Sequence, residues 1–322
     1  MPAPSSSLAT LRPDLADSFT EFDLDQNIRG FVWEQLLPVF DAAKASGNFG
    51  RIPVEQLLQR RNTLRSPGSG YATGNWTFLP ESYTTQEYGA VEPVDDNERQ
   101  LYKDYFDAEQ VSALRARSAL LSETEIRLIT ALLNTSTFSN AAASVAWSTW
   151  ATAKPIEDVE AAVNAVYDAC GLWPDTMGMS YKTFRNLRNC DQILDRISAS
   201  GAGDKIKATD VTTAQLAAVF DLKKIVVAGS STNTAAEGQS AVFSQIWDRT
   251  KVFIGKTADS GDIREPCVGR TFHWSEDGSA VAGTVESYRN EDKRSDMIRV
   301  RHQIGEKFLY TQAGYIITGV QA

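Results

Sequence analysis

Histidine is nearly missing from this chain: 322 residues contain two, His273 and His302. A Ser–His–Asp or Cys–His site would have to recruit one of them. His273 stands between Phe272 and Trp274, and His302 follows Arg299 and Arg301 in an alternating stretch, so both read as structural or surface residues. Cysteine is scarce too. Cys170, Cys190 and Cys267 form no CxxC, and their odd count fits reduced thiols and gives no structural metal site. No HExxH and no calcium-loop spacing of acids occurs. No window approaches 18 uninterrupted apolar residues, which excludes a transmembrane helix. The first 25 residues carry Asp14, Asp17, Glu21, Asp23 and Asp25 where a secretory signal has a basic start and an apolar run. Basic charge is in deficit. With 32 Lys and Arg against 41 Asp and Glu the net charge is −9, a poor balance for tight binding to nucleic acid.

Phosphate loops are missing as well. Lys251–Thr257 (KVFIGKT) resembles a strand entering a Walker A loop, but Thr250 stands where the first glycine is required. Gly68-Ser69-Gly70 and Gly201-Ala202-Gly203 lack a third glycine and a preceding strand, and read as flexible loops. Asp95-Asp96 and Glu291-Asp292 mark turns and solvated faces rather than acid/base pairs. The sequence therefore predicts no catalytic residues, no metal and no cofactor. It reads as a protein that is not an enzyme.

What is present is the composition of a folded protein, 42% hydrophobic with 10% aromatic residues. Residues 1–30 are Pro/Ser-rich and then acidic, and read as an extended arm. Phe31–Phe40 (FVWEQLLPVF) is unusually apolar, and Pro38 stops a regular helix from crossing it. After Arg60, Arg61 and Arg65, the breaker Pro67-Gly68-Ser69-Gly70 leads into two stretches rich in Tyr, Trp, Thr and Phe. These are Tyr71–Phe78 and Tyr83–Tyr88; Pro80-Glu81-Ser82 divides them, and the pattern predicts a two-stranded hairpin. Between Asp107 and Leu133, apolar residues at three-, four- and seven-residue spacing predict one helix of roughly 40 Å. Beyond Asn140 helices and strands alternate: a helix from Pro155 to Gly171, strands at 176–180, 224–228 and 251–254, and helices at 181–189 and up to Phe220. Strands at 281–288, 297–304 and 307–319 follow, with turns at Asn290–Asp292 and Gly305-Glu306. The class is α+β.

This order of features resembles the major capsid protein family of tailed bacteriophages, with the Hong Kong 97-type fold. The resemblance runs from about residue 29 to the C-terminus. It rests on LLPVF (36–40), KASGNFGRIP (44–53), SPGSGYATGNWTF (66–78), YTTQEYGAVEPVDDNER (83–99), VAWSTWATAKPIEDVEAAV (145–163), GLWPDTMGMSYKTFRNLRN (171–189) and AGYIIT (313–318). The resemblance implies an N-terminal arm at 1–58 and an extended β-hairpin loop at 59–95. It implies a peripheral domain with a spine helix at 96–140 and 295–322, and an axial αβ domain at 141–294.

It further implies self-assembly as hexamers and pentamers into an icosahedral shell, a procapsid that expands as double-stranded DNA enters. Assembly would take place in the host bacterial cytoplasm and the product would be the virion capsid. The partners implied are a separate scaffolding protein, a portal and in some shells a decoration protein; the DNA would be contacted weakly and without sequence specificity, and no membrane is involved. The scaffold is expected to be separate because about 30 residues ahead of Phe31 leave no room for a long helical scaffolding segment. Residues 60–95 contain no lysine, so the Lys–Asn cross-link of some relatives is not expected. Subunit contacts are expected at Phe31, Trp33, Leu36, Leu37 and Phe40 in the strip, at Arg60, Arg61 and Arg65, and at Tyr71, Trp76, Phe78, Tyr83 and Tyr88. The competing reading for the aromatics is an intrachain core, and for the arginines a solvated loop base. An encapsulin-like nanocompartment shares the fold, and a soluble α+β enzyme is the remaining alternative.

Overall fold

A computed structural model describes residues 10–11, 30–51, 53, 56, 58–74, 77, 79–102, 107–199, 207–236 and 238–321. β1 (Thr10–Leu11) comes first, then a single-turn helix α1 (Trp33–Leu36) that stops two residues before Pro38, and β2 (Val39–Asp41). Next are β3 (Ser46–Arg51), β4 (Leu79–Thr84), β5 (Gln86–Asp95), α2 (Asp96–Tyr102) and the long α3 (Ala108–Leu132). Asp107 caps α3 by accepting from the N–H of Glu109. After β6 (Ser139–Ala142), α4 (Pro155–Cys170) has proline in its first turn and Gly171 at φ 67° beyond its last. β7 (Thr176–Ser180), α5 (Tyr181–Asn189), α6 (Asp191–Ala199), α7 (Thr213–Val219) and β8 (Lys224–Ala228) fill the middle, where Thr212 and Gln215 close a capping box on α7. Strands complete the chain: β9 (Ser231–Asn233), β10 (Phe243–Gln245), β11 (Val252–Gly255), β12 (Gly269–His273), β13 (Thr284–Asn290), β14 (Ser295–Phe308) and β15 (Gly314–Thr318). This is the α+β class read from the sequence.

β14 organises one sheet. β5 runs antiparallel along one edge, from Asp95 opposite Ser295 to Gln86 opposite Ile304. The other edge takes β13 and then β12, with β1 beyond β13 and β2 parallel to β12. α3 lies on this sheet. Ala113 and Ala116, fully buried, let it approach closely, and they pack with Leu120 against Val94, Val285, Ile298 and Val300.

The second sheet has the order β6-β15-β11-β7-β8 and is mixed. TMGMS and VFIG are buried along their whole length, as expected of strands covered on both faces. Its core joins Val159 and Ala162 of α4, Leu187 of α5, Ile193 of α6 and Leu216 of α7 to Met177, Met179 and Ile254. The last turns of α3 reach into the neighbouring core, where Ile129 and Leu132 cluster with Phe138, Phe253 and Ile316. One helix is thus built into the packing of both sheets.

Three features differ from the sequence reading. Of the expected hairpin, residues 71–74 and 77 are not strand, and Pro80-Glu81-Ser82, expected to divide it, lies inside β4. β4 pairs with β3, Ser46 opposite Thr84, and β5 pairs with β14. Long-range partners win because β14 offers ten residues of ladder, more than a local pairing around Pro80 could supply. Second, β14 runs straight through Gly305-Glu306. The glycine serves close approach, since a Cβ there would overlap the Thr84 carbonyl. Third, sheet membership cuts across the expected domain boundaries: β12 and β13 belong with β14, whereas β15 sits between β6 and β11.

Candidate intersubunit surface

The apolar strip has its partners within the chain. Trp33 and Leu37 are buried with Leu128 of α3, and Leu36 with Trp247, Phe253 and Val226. Within the subunit these three are enclosed by its own core, and β12 holds the end of the strip, Thr271 donating its N–H to the Pro38 carbonyl and its hydroxyl to that of Leu37. Phe31 is half-buried, and Phe40 sets its ring edge against Phe272 at 5.5 Å. Tyr83 stacks on the same Phe272, centroids 4.4 Å apart, and donates its hydroxyl to the Lys44 carbonyl. Tyr88 meets His302 edge-on at 6.1 Å, with the Arg127 guanidinium 3.8 Å above its ring. Trp76 and Phe78 lie outside the described residues.

Residues 58–74 are different. Nearly every side chain there is exposed, including Arg60, Arg61 and Arg65. Its internal order is local: Ser66–Ser69 form a turn with Gly68 at φ 87°, Arg65 Nε donates to the Ser69 carbonyl at 2.7 Å, and the guanidinium lies 4.9 Å over the Tyr71 ring. Arg61 lies against Gly74, where a Cβ would overlap its guanidinium. Tyr71 is 76% exposed. Sequence reasoning missed two leucines of the same segment, Leu64 at 85% and Leu58 at 62% exposed. The missed signal was single apolar residues set among arginine, asparagine and serine. Two further apolar spots were also missed: Trp173 stacked on Tyr167 at 4.7 Å, and the Val242–Phe243 pair at β10.

The polar clusters of the interior are tied up in structure. Asp41 Oδ1 lies 2.8 Å from His273 Nδ1, and Ser279 Oγ lies 3.5 Å from Nε2, the sequence of contacts of a catalytic triad. An oxyanion needs free N–H donors beside the serine. Here the Ser279 N–H donates to Asp277 and the Ala280 N–H to Thr284, and Ser279 itself is buried. These contacts fasten the loop 274–283 over β12. The KVFIGKT loop is closed by a carboxylate. Lys256 Nζ lies 2.6 Å from Asp175 Oδ2, and the Thr257 N–H and hydroxyl donate to Asp175 Oδ1. Burial works against the lysine's charge, yet Asp175 holds its pKa above the ordinary value. Arg270, fully buried, is held by the carbonyls of Ser260 and Asp262. Among the described residues no group of three or more His, Cys, Asp or Glu is placed to hold a metal, and no helix is long and apolar enough to cross a membrane.

Comparison with known proteins defines the fold. No family model matches the chain, and no curated protein matches it in sequence. Solved structures do match over nearly the full length. A phage-related protein from Bordetella bronchiseptica RB50 is 20% identical, with 97% of this chain and 98% of that one covered and a TM-score of 0.69. The capsid of the cyanophage P-SCSP1u is 10% identical, over 88% and 86% of the two chains, at a TM-score of 0.54. The SrpI encapsulin of Synechococcus elongatus PCC 7942 is 10% identical, over 92% and 89%, at 0.55. The chain has the Hong Kong 97-type capsid fold.

Proposed function

We propose that this chain is the major capsid protein of a tailed phage, a non-enzymatic subunit that assembles as hexamers and pentamers into an icosahedral shell around double-stranded DNA. The observation that carries the reading is the exposed segment 58–74 on a fold shared with shell proteins: Leu58, Leu64 and Tyr71 stand in solvent while the two sheets are filled. Large apolar side chains left in water along one segment gain free energy when a partner covers them. In this reading the segment lies across an adjacent subunit, and Arg60, Arg61 and Arg65 meet its acidic groups, since arginine suits bidentate pairing with carboxylates. The sheet around β14 with α3 corresponds to the peripheral part and the β7–β11 sheet to the axial part. Scaffolding, portal and decoration proteins are its proposed partners, and a net charge of −9 suits a container whose DNA fills the cavity without adhering to the wall. Assembly would take place in the host cytoplasm.

An encapsulin-like compartment is the second reading, favoured by the SrpI encapsulin and a virus-like particle from Pyrococcus furiosus among the structural matches. The test is size and content. The full chain is expressed alone and with a scaffold encoded beside it, then examined by light scattering behind a sizing column and by negative-stain electron microscopy. Megadalton hollow shells, or rings of five or six, are expected, and regular shells with scaffold. A monomer or dimer that persists with scaffold overturns the proposal. A portal and terminase encoded alongside support the phage reading, and a cargo enzyme the compartment.

A further inference from the structure

Glu125 sits in the middle of α3, fully buried, and among the described residues its hydrogen bonds come from neutral donors. Its Oε1 accepts from the Trp247 indole N–H at 2.7 Å, and its Oε2 accepts from the backbone N–H groups of Trp33 and Val32 at 3.1 and 3.3 Å. Those donors come from separate places: Val32 and Trp33 begin α1, where the strip enters the core, and Trp247 precedes β11 of the second sheet. Among the described residues no cation pairs with this carboxylate, although buried charges are ordinarily paired. Among the described residues, the joint between the strip, α3 and the second sheet is therefore closed on an acid with no cation beside it.

We propose that Glu125 makes this joint proton-linked: closing it takes up a proton, opening it to water releases one, and rising pH loosens the hold of α3 on residues 32–33 and on Trp247. Burial is the dominant influence on Glu125 and outweighs the three donors, so its pKa is pushed up from 4.5 to about 7. An exposed carboxylate titrates near 4.5. The closed form therefore binds the proton more tightly, and opening becomes easier as pH rises from about 4.5 to about 7, by up to roughly 300-fold.

The surrounding charges leave that direction intact. Glu34 on α1 faces Glu125 and adds to the upward push, while Arg117 on α3 faces Glu34. Beside Trp247, Asp248 keeps a lowered pKa through Thr250 and Lys251 although burial opposes it, and Lys251 also donates to the Leu133 carbonyl at the end of α3. Cys170, Tyr310 and Tyr315 belong to the same apolar cluster, and burial raises all three, so they stay neutral across the range. His302 on β14, whose pKa burial pushes down, does not contact Glu125, and a variant of Glu125 separates its effect.

The experiment is hydrogen exchange of the full chain at pH 5 and pH 8, corrected for intrinsic exchange, read on the peptide holding the Val32 and Trp33 amides. Protection in the parent chain is expected to fall about 70-fold between the two pH values. Glu125→Gln keeps an acceptor for Trp247 and cannot ionise, so its profile is expected to be flat. Trp247→Phe removes a donor to the ionised form, and its midpoint is expected to move to higher pH. The same slope in Glu125→Gln as in the parent overturns the proposal, as does an unmoved midpoint in Trp247→Phe.

Discussion

Gly305 shows what a single residue can hide. In the sequence, Gly305-Glu306 has the look of a turn; in the structure it lies within β14, where the backbone of Thr84 crosses so closely that no Cβ fits. A glycine kept for close approach and a glycine kept for a turn look identical in one sequence. Gly305→Ala is expected to cost about 2–3 kcal/mol, the range of a forced overpacking, measured by denaturant unfolding; a change below about 0.5 kcal/mol would remove the close-approach argument. The apolar strip teaches the same lesson in reverse. The sequence marked Trp33, Leu36 and Leu37 as needing burial, and they are buried, but hydrophobicity does not name the partner. Leu128 and Trp247 supply it from far along the chain.

Among the elements, α3, α4, α5 and α7 were legible, whereas α2, α6 and the strand partners were not. The caps of α4 and α7 and the spacing of α3 are local, so their positions follow from nearby residues. The expected strand at 83–88 spans the end of β4 and the start of β5, but their ladders run to β3 and to β14, and long-range pairing carries no local mark. The β13–β14 ladder adds a charge lock that only the fold assembles. Glu286 accepts from Arg299 and from Arg301 Nε, the latter at 2.9 Å, and Arg301 also holds Asp277 at 2.8 Å. Burial alone would raise the Glu286 pKa; the two arginines outweigh it and hold it below 4.5. For a lowered pKa the unfolded chain binds the proton more tightly, so this stabilisation is present above about pH 4.5 and is lost as pH falls. Glu286→Gln is expected to cost about 3 kcal/mol at pH 7, with the gap to the parent chain closing as unfolding is measured from pH 4.5 down to 3. Glu125 acts the other way: its raised pKa lowers stability as pH climbs from 4.5 to 7. A Glu286→Gln gap that is constant with pH would show that the ladder does not depend on the charge.

For the whole molecule, the decisive contrast is between surface that folding uses and surface that it leaves over. α3 ties both sheets into one packed body that encloses Trp33, while Phe31, Phe40, Tyr83 and Tyr88 are half-buried against it. Segment 58–74 is held mainly by its own turn and by the Arg65–Tyr71 contact, and it presents Leu58, Leu64 and Tyr71 to water. Because Leu64 and Tyr71 are exposed in the subunit, replacing them barely touches folding. The double variant Leu64→Asp, Tyr71→Ser is expected to unfold within about 0.5 kcal/mol of the parent. In a shell the same two side chains would be buried on a neighbour, each worth about 2 kcal/mol, and every subunit would lose both at once. The expected result is a subunit with an unchanged melting curve that no longer forms megadalton particles on a sizing column. Trp33→Ala provides the opposite case, costing about 3–5 kcal/mol in the subunit itself because its indole fills the core beside Leu128. If the double variant assembles like the parent chain, segment 58–74 is not the bridging surface. Other exposed apolar side chains among the described residues, such as Leu101, Trp150, Trp173 and Phe243, would then be the candidates for contacts between subunits.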